Sequence, residues 1–405
     1  MAGESLRALA AGLALSAACG AASAQEAASP PAALAAGKPI LEIRQRYEHV
    51  DQANIARDGE ALTVRLRLGY ETGVWNGLKG LVEFEGVADL LDEDYNSTIN
   101  GKTQYPVIGD PEVAEINRLQ VSWNPSPAFG ATLGRQRINF DDQRFVGSAA
   151  WRQDEQTFDA VRADLALGKV KGSLVYVDRV NRVFAEDLDW KSDSWLVNVA
   201  YAGPEAFKAA LFVYALDFSN APGSSSLTSG VRVTGKAKAG SVALGYAASY
   251  ARQSDHANNP ADFDLDYWAA EVSGTSGMFT VRGAYESFEG NGARAFQTPL
   301  GTLHAFQGWA DVFLTTPPNG LEDANVGLTI KPAWKADHLF NIELTARYHS
   351  FEAQRGGADL GDEFNLLAQA AVTRQITVLA KWADYDGAPG FPSRQRFWLG
   401  FEFKL

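Results

Sequence analysis

Side chains of opposite character alternate along most of this chain, and this period of two is the feature that most restricts its fold. In residues 62–71 one face carries Leu62, Val64, Leu66, Leu68 and Tyr70, and the other carries Thr63, Arg65, Arg67, Gly69 and Glu71. The same split recurs in residues 41–48, 231–236, 279–286, 340–349 and 397–405. This pattern predicts β-strands with one apolar and one polar face. It fits a soluble sandwich, or a transmembrane barrel whose apolar faces meet lipid.

The lengths of the connections favour the barrel. Between residues 39 and 404 the pattern predicts 18 strands of roughly ten residues, the length that crosses a bilayer at a tilt, with 16 strands as the alternative. Even-numbered connections such as 168–169 and 274–277 are short, and odd-numbered ones such as 89–112 and 289–322 are long. This sorting is typical of outer-membrane barrels. We therefore predict an all-β fold, a transmembrane antiparallel β-barrel with short periplasmic turns and long extracellular loops.

The segment before the barrel is predicted to direct export. Residues 8–18 are apolar but too short to span a bilayer, and residues 22–24 (Ala-Ser-Ala) form a cleavage site, so residues 1–24 are predicted to be a signal peptide. The only cysteine, Cys19, lies in this segment, which leaves the mature chain without a disulfide framework or thiolate metal site. Residues 25–38 are rich in Ala and Pro and are predicted to be a short periplasmic linker, followed by the barrel over residues 39–405.

The charge of the chain restricts its partners. Its 36 basic and 49 acidic residues give a net charge of −13, which disfavours a nucleic-acid partner. Much of the acidity lies in predicted loops, where it is expected to meet divalent cations between lipopolysaccharide molecules. Residues 92–103 begin like a calcium loop, but Ser97 and Thr103 stand where Gly and Glu are required. A solvated loop is the simpler interpretation, and we predict no metal and no cofactor.

The polar strand faces predict the lining of the lumen. Basic candidates from this argument are Arg44, Arg46, Arg65, Arg67, Arg118 and Arg162, and acidic ones are Glu83 and Glu85. Arg135 and Arg137 share one face of a strand with weaker alternation, and with Arg65 and Arg67 they are expected mid-strand at the narrowest point. A guanidinium group stays charged and binds carboxylates through two donors, which favours a cationic constriction for anions. The alternative is an Arg–Glu ladder between neighbouring strands, and both interpretations remain.

Aromatic and apolar residues mark the strand ends and the last strand. Six aromatic residues are predicted near strand ends, where amphipathic rings form interfacial girdles: Trp123, Trp195, Tyr201, Trp268, Trp382 and Trp398. Residues Phe397–Leu405 carry an apolar face up to the carboxyl terminus. This face resembles the signal read by the barrel-assembly machinery, although Leu405 stands where Phe is more frequent. A closing strand without a signalling role has the same geometry.

Catalytic motifs are absent from the sequence, which contains no G-x-S-x-G, H-E-x-x-H, P-loop or dinucleotide motif. The five histidines have no metal-binding spacing. We therefore predict that the protein is not an enzyme. A triad assembled in space from scattered side chains is the enzymatic alternative.

Two long segments resemble the alginate-export family of outer-membrane channels. The first is GRQRINFDDQRFVG over residues 134–147, followed by WRQDEQTFDA over residues 151–160, and the second is FQTPLGTLHAFQGWAD over residues 296–311. The resemblance implies a barrel of 18 strands and an Arg-rich pore that selects an anionic uronate polymer. It implies pore-lining or anion-binding roles for Arg135, Arg137, Arg144 and Arg152.

These observations predict a passive outer-membrane channel for anionic solutes, with export of an acidic polysaccharide such as alginate as the substrate that the family implies. The expected partners are an anionic solute or uronate polymer, outer-membrane lipid and lipopolysaccharide, and the barrel-assembly machinery through Phe397–Leu405. The alternatives are a general small-solute porin of mixed selectivity, and a plugged barrel that acts as an enzyme or a surface-binding protein.

Overall fold

Alternating side chains and short turns produce one closed antiparallel sheet. The computed structural model describes residues 26–333 and 339–405, and these residues contain a barrel of 18 strands. The strands are β1 Lys38–Gln52, β2 Gly59–Glu71, β3 Leu78–Asp89, β4 Val113–Ser126, β5 Phe129–Gln136, β6 Thr157–Leu167, β7 Val170–Asn181, β8 Trp190–Tyr201, β9 Lys208–Leu216, β10 Ser226–Ala239, β11 Val242–Asp255, β12 Asp264–Ser276, β13 Phe279–Phe288, β14 Leu321–Ile330, β15 Phe340–Glu352, β16 Asp359–Ala371, β17 Ile376–Gly387 and β18 Arg394–Lys404. Helix α1 covers Pro30–Ala35, and 3₁₀ turns cover Glu186–Leu188, Pro222–Ser224 and Leu303–Ala305. The predicted signal peptide lies outside the described residues.

Each strand pairs with its neighbours in sequence, and the ring closes where β18 pairs with β1. The closing register runs from Glu42 opposite Lys404 to Gln52 opposite Arg394. Closure satisfies the backbone groups of the described strands within the sheet, which a segment surrounded by hydrocarbon requires. The prediction of an 18-stranded antiparallel barrel is confirmed, and the alternative of 16 strands is wrong.

The apolar faces of the strands point outward and the polar faces point inward, as a transmembrane barrel requires. On β2, Leu68 is 56% exposed on the outer surface, whereas Arg65 on the opposite face is 0% exposed. Outward apolar side chains meet lipid, and inward polar side chains surround the lumen. Within the described residues, no helix has the length and apolarity needed to span a membrane.

The sorting of connections by length is less strict than predicted. The three longest described connections, 90–112, 137–156 and 289–320, are all odd-numbered, as expected. However, the even-numbered connections 72–77 and 202–207 are as long as the odd-numbered connections 53–58 and 388–393. Connection 72–77 contacts the segment predicted to be a linker. The Gly73 amide donates to the Ala33 carbonyl oxygen at the end of α1, at 2.9 Å.

The aromatic residues predicted to form girdles divide into two groups. Four rings lie on the outer surface and are 38–48% exposed: Trp123, Trp195, Tyr201 and Trp268. The prediction is wrong for Trp398, which lies within β18, points into the lumen and is 0% exposed. Its side chain shares a face with Arg396, because the neighbouring Phe397 and Leu399 occupy the lipid face. Trp382 is also internal to its strand, within β17.

Candidate functional site in the barrel lumen

Two long loops, 137–156 and 289–320, fold into the barrel and pair with each other. Val146 and Leu300 form a parallel bridge, and the Gly147 amide donates to the Leu300 carbonyl oxygen at 2.9 Å. Val146 is 1% exposed and Leu300 is 0% exposed. The apolar residues of the two loops therefore form a core with the inward faces of the strands.

Aromatic packing and one buried arginine fix these loops to the wall. The Phe145 ring lies 4.8 Å from the ring of Phe212 on β9, measured between centroids. Arg144 donates to Glu286 on β13 at 2.7 Å. Its guanidinium group also lies 4.6 Å from the ring centroids of Phe288 and Phe306. Arg144 therefore joins loop 137–156, loop 289–320 and the wall in a buried cluster.

A lysine surrounded by indole rings forms a second anchoring point. Lys381 on β17 places its ammonium nitrogen 3.9, 4.1 and 5.3 Å from three ring centroids, those of Trp309, Trp151 and Trp398 respectively. Two of these rings belong to the in-folded loops and one belongs to β18. Cation–π attraction is strengthened where the cation has been removed from water. Lys381 therefore holds both loops against the wall.

The histidine beside this lysine is neutral. The Lys381 Nζ atom and His304 Nε2 are 2.5 Å apart. The Asp311 carboxylate beside Nδ1 only accepts, so in the neutral ring Nε2 is the nitrogen that accepts. The remaining ring nitrogen, Nδ1, then carries the proton and donates to Asp311 at 2.7 Å. Burial lowers the pKa of His304 to about 3, with Lys381 contributing in the same direction. Asp311 also accepts from Arg152 at 2.7 Å, so the two loops are joined by charge as well as by packing.

All ten arginines predicted to line the pore form ion pairs with carboxylates. The pairs are Arg44–Glu402, Arg46–Asp110, Arg65–Glu42, Arg67–Glu85, Arg118–Glu83, Arg135–Asp159, Arg137–Glu155, Arg144–Glu286, Arg152–Asp311 and Arg162–Asp164. Five of these pairs, those of Arg44, Arg65, Arg67, Arg118 and Arg135, join neighbouring strands as the ladder interpretation requires, and Glu83 and Glu85 are buried members of them. The other five involve loop residues or lie within one strand. Solute binding by these arginines stays a prediction.

The expected mid-strand position is wrong for two of the four arginines assigned to the narrowest point. β5 ends at Gln136, so Arg135 is its penultimate residue and Arg137 belongs to loop 137–156. The strand ends there because the chain turns inward, and Ile138 joins the buried core with 0% exposure. Arg65 and Arg67 do lie within β2.

One lumenal residue was missed because the alternation is interrupted. Glu83 is paired with Arg118 and Phe84 with Ile116, so Asn117 forms a bulge in β4. Asn117 and Arg118 therefore both face inward, although they are adjacent in sequence. The Asn117 amide donates to Glu83 at 2.9 Å and to Glu155 at 3.1 Å. The sequence around Asn117 has no Gly or Pro that would have indicated this bulge.

Two further cations were placed on lumenal faces by alternation but were not chosen as candidates. In the described part of the chain, neither Arg347 nor Lys381 forms an ion pair with a carboxylate; instead, the Arg347 guanidinium lies 5.7 Å from the Trp309 ring centroid and Lys381 contacts the indoles already described. Their positions on β15 and β17 are far in sequence from the arginine-rich first strands. The facing pattern was the only sequence signal that could have identified them.

The ion pairs differ in which partner faces water. Arg118 is 15% exposed and its partner Glu83 is 0% exposed, whereas Arg137 is 28% exposed and Glu155 is 3% exposed. Burial alone would raise the pKa of the Glu155 carboxyl, but the Arg67 and Arg137 guanidinium groups outweigh it and hold that pKa below its ordinary value. The carboxylates therefore stay ionised behind the arginines. Guanidinium groups therefore face water from the wall at Arg118 and from loop 137–156 at Arg137.

Comparisons with known proteins agree with this architecture. The sequence profile described as Alginate export matches residues 121–386, whereas no curated protein matches the chain. The fold resembles crystal structures of OccAB4 from Acinetobacter baumannii (TM-score 0.72, 13% identity, 91% of this chain and 98% of that one), and of OpdK from Pseudomonas aeruginosa with vanillate (TM-score 0.72, 14% identity, 92% and 99%). A third similar barrel is OccK9 (OpdG) from Pseudomonas aeruginosa (TM-score 0.71, 14% identity, 92% and 100%). The match covers more than half of the chain, which therefore belongs to the alginate export family of outer-membrane channels.

Proposed function

We propose that this protein is a passive channel for anionic solutes, and that it selects them by the water-facing guanidinium groups of Arg118 and Arg137. In this proposal the mature chain begins at Gln25, after cleavage of the signal peptide. The observation that carries the proposal is the order of burial within the pairs, with Glu83 and Glu155 behind the arginines. A passing anion meets the positive member of each pair first.

Electrostatic energies are large enough for an Arg–Glu ion pair to select ions although the net charge of the pair is zero. At an effective dielectric constant of about 20, a unit charge 4 Å away contributes about 4 kcal/mol before desolvation. The buried carboxylate cancels part of this attraction from a longer distance. If about 1.4 kcal/mol of the attraction remains, it is sufficient for a tenfold preference of the channel for anions.

A uronate polymer is the substrate class that we propose for the channel. Each uronate unit carries a carboxylate, and a guanidinium group can bind a carboxylate through two parallel hydrogen bonds. Membership of the alginate export family supports this choice. The similar barrel of OpdK was crystallised with vanillate, a small anion, which supports anion passage in this type of barrel.

The decisive experiment is the reversal potential in a planar bilayer under a KCl gradient. Wild type should favour chloride, and the double variant Arg118→Gln, Arg137→Gln should move the reversal potential toward the cation side. The matched control is Arg135→Gln, Arg162→Gln, because their partners Asp159 and Asp164 are 31% and 40% exposed, more than the arginines at 23% and 25%. This control should produce a smaller shift. Oligouronates should reduce the current more strongly than neutral oligosaccharides of equal length.

A porin of mixed selectivity is the second candidate, because all ten predicted arginines have carboxylate partners. A wild-type reversal potential near zero would favour it. A correctly folded barrel that carries no current would instead contradict channel activity and favour the plugged alternative.

A further inference from the structure

Two glutamates lie directly opposite each other on neighbouring strands of the wall. Glu85 on β3 and Glu115 on β4 are register partners, and both belong to the inward faces of their strands. Like charges in this position destabilise a sheet unless something neutralises them.

A third carboxylate completes the group from loop 137–156. One carboxylate oxygen from each of Glu85, Glu115 and Asp154 lies within 4.8 Å of the other two. Asp154 is 0% exposed, and its Oδ1 atom has no hydrogen-bond partner, as is also true of Glu115 Oε1. An ionised oxygen buried without a partner is costly, so this group requires a counter-charge.

The nearby arginines leave most of this charge uncompensated. Glu85 accepts from Arg67, which is shared with Glu155 at 3.0 Å. Glu85 also lies 3.8 Å from the Arg65 guanidinium, so the charges left over are those of Glu115 and Asp154. Arg135 is directed at Asp159, to which it donates two hydrogen bonds of 2.8 and 3.1 Å. Either a bound proton or a bound cation can supply the missing charge.

We propose that Glu85, Glu115 and Asp154 bind one divalent cation of the calcium class. Ca²⁺ prefers carboxylate oxygens at about 2.4 Å, so two ligands on opposite sides of the ion lie at most about 4.8 Å apart. The separation of the three oxygens is within this limit. Three converging hard oxygens suit Ca²⁺ or Mg²⁺ and are unsuited to softer metals.

The site lies between the wall and an in-folded loop, so a cation bound there would stabilise the position of that loop. Glu85 and Glu115 belong to the rigid wall, and Asp154 belongs to the in-folded loop. Asp154 Oδ2 also accepts from the Ala185 amide in the connection between β7 and β8, at 3.3 Å. The cation joins β3, β4 and loop 137–156 and so holds the loop that carries Arg137.

The calcium-like sequence over residues 92–103 is a matched control. There the Lys102 ammonium donates to the carbonyl oxygens of Asp92 and Glu93, at 3.0 and 2.8 Å. It also lies 3.8 Å from the Glu93 carboxylate. A lysine thus already supplies the positive charge in that loop.

The test measures Ca²⁺ binding and thermal stability of the full-length protein, refolded into detergent so that it carries no lipopolysaccharide. Isothermal titration with CaCl₂ should show one ion per chain, with a dissociation constant up to about 1 mM. Ca²⁺ should raise the unfolding temperature of wild type, and EDTA should reverse the rise. Asp154→Asn and, separately, Glu115→Gln should abolish both responses. Asp92→Asn, Glu93→Gln should retain them.

The variants also distinguish whether a bound cation or a bound proton neutralises the three carboxylates. Both replacements remove like-charge repulsion, so the folded barrels should form and should be at least as stable as wild type in EDTA. Absence of a calcium response in wild type would overturn the proposal in favour of a shared proton. An equal response in wild type and Asp154→Asn would overturn it in favour of binding elsewhere.

Discussion

At the scale of single residues, burial separates arginines that water does not reach from arginines that face water. The Arg67 side chain is 4% exposed between Glu85 and Glu155, and these two carboxylates are 0% and 3% exposed. Breaking a buried ion pair by removing one partner costs about 3–5 kcal/mol. Arg67→Gln should therefore lower the unfolding temperature, measured by loss of the heat-modifiable folded band. It should leave the reversal potential nearly unchanged, since the side chain barely reaches water.

A surface pair provides the control for this variant. Arg252 and Asp264 are 58% and 51% exposed, and an exposed pair contributes little to stability because water and salt screen it. Arg252→Gln should thus have little effect on the unfolding temperature. If Arg67→Gln shifted ion preference while stability stayed at the wild-type value, Arg67 would belong to the solute path.

Sequence alternation predicted which residues face inward but could not identify their partners. Arg65 and Arg67 were placed in the lumen because their neighbours Leu66 and Leu68 are apolar. The partners come from distant parts of the chain: Arg44 pairs with Glu402 across the closing strands, and Arg152 pairs with Asp311 of another loop. Such contacts depend on closure and on loop conformation, which a local pattern does not contain.

At the scale of elements, the in-folded loops should make stability depend on pH through His304. The folded protein holds this imidazole neutral, with a pKa of about 3, against about 6.5 in an unfolded chain. The unfolded state therefore binds the extra proton between these values, and stability falls as pH decreases from 6.5 toward 3. The slope for one group is at most about 1.4 kcal/mol per pH unit. Unfolding temperatures measured from pH 7 to pH 4 should show this loss.

His304→Gln should weaken that dependence, because Gln does not titrate. Its amide can still accept from Lys381 and donate to Asp311. The control is His256→Gln, in the connection between β11 and β12. An unchanged slope in His304→Gln would mean that other groups determine the acid sensitivity and that His304 does not titrate in this range.

The inward direction of the loops was not predicted, although the sequence contains a signal for it. The predicted extracellular loops carry large apolar residues such as Phe140, Val146, Phe296 and Phe313, which a solvated loop would expose. All four are buried in the structure. Apolar residues in a loop indicate that it packs, but not on which surface. The lumen becomes the available surface only after the barrel has closed.

At the scale of the whole molecule, the number of strands was predictable because two independent patterns agreed. The period of two identified the strands, and the connection lengths identified the two ends of the barrel. The pairing of Glu42 with Lys404 then follows from closure. Strand ends were less predictable, because inward turns such as that after Gln136 depend on tertiary packing.

The orientation of the barrel leads to the last prediction. Ile99 and Ala293 are exposed in long connections, whereas Lys169 and Ser241 are exposed in short turns at the other end. Single cysteines at these four positions avoid the left-handed glycines of the turns, Gly168 and Gly240, whose φ is +60°. On intact cells an impermeant maleimide should label the first two positions only. Lys169→Cys and Ser241→Cys should react after the outer membrane is permeabilised.

A fifth cysteine separates orientation from the packing of the loops. Val146 lies in a long connection but is 1% exposed, because loop 137–156 occupies the lumen. Val146→Cys should therefore stay unlabelled on intact and on permeabilised cells, and it should react only after the barrel unfolds. Labelling of Val146→Cys on intact cells would show that the loop leaves the lumen, whereas labelling confined to the short turns would invert the orientation of the whole barrel.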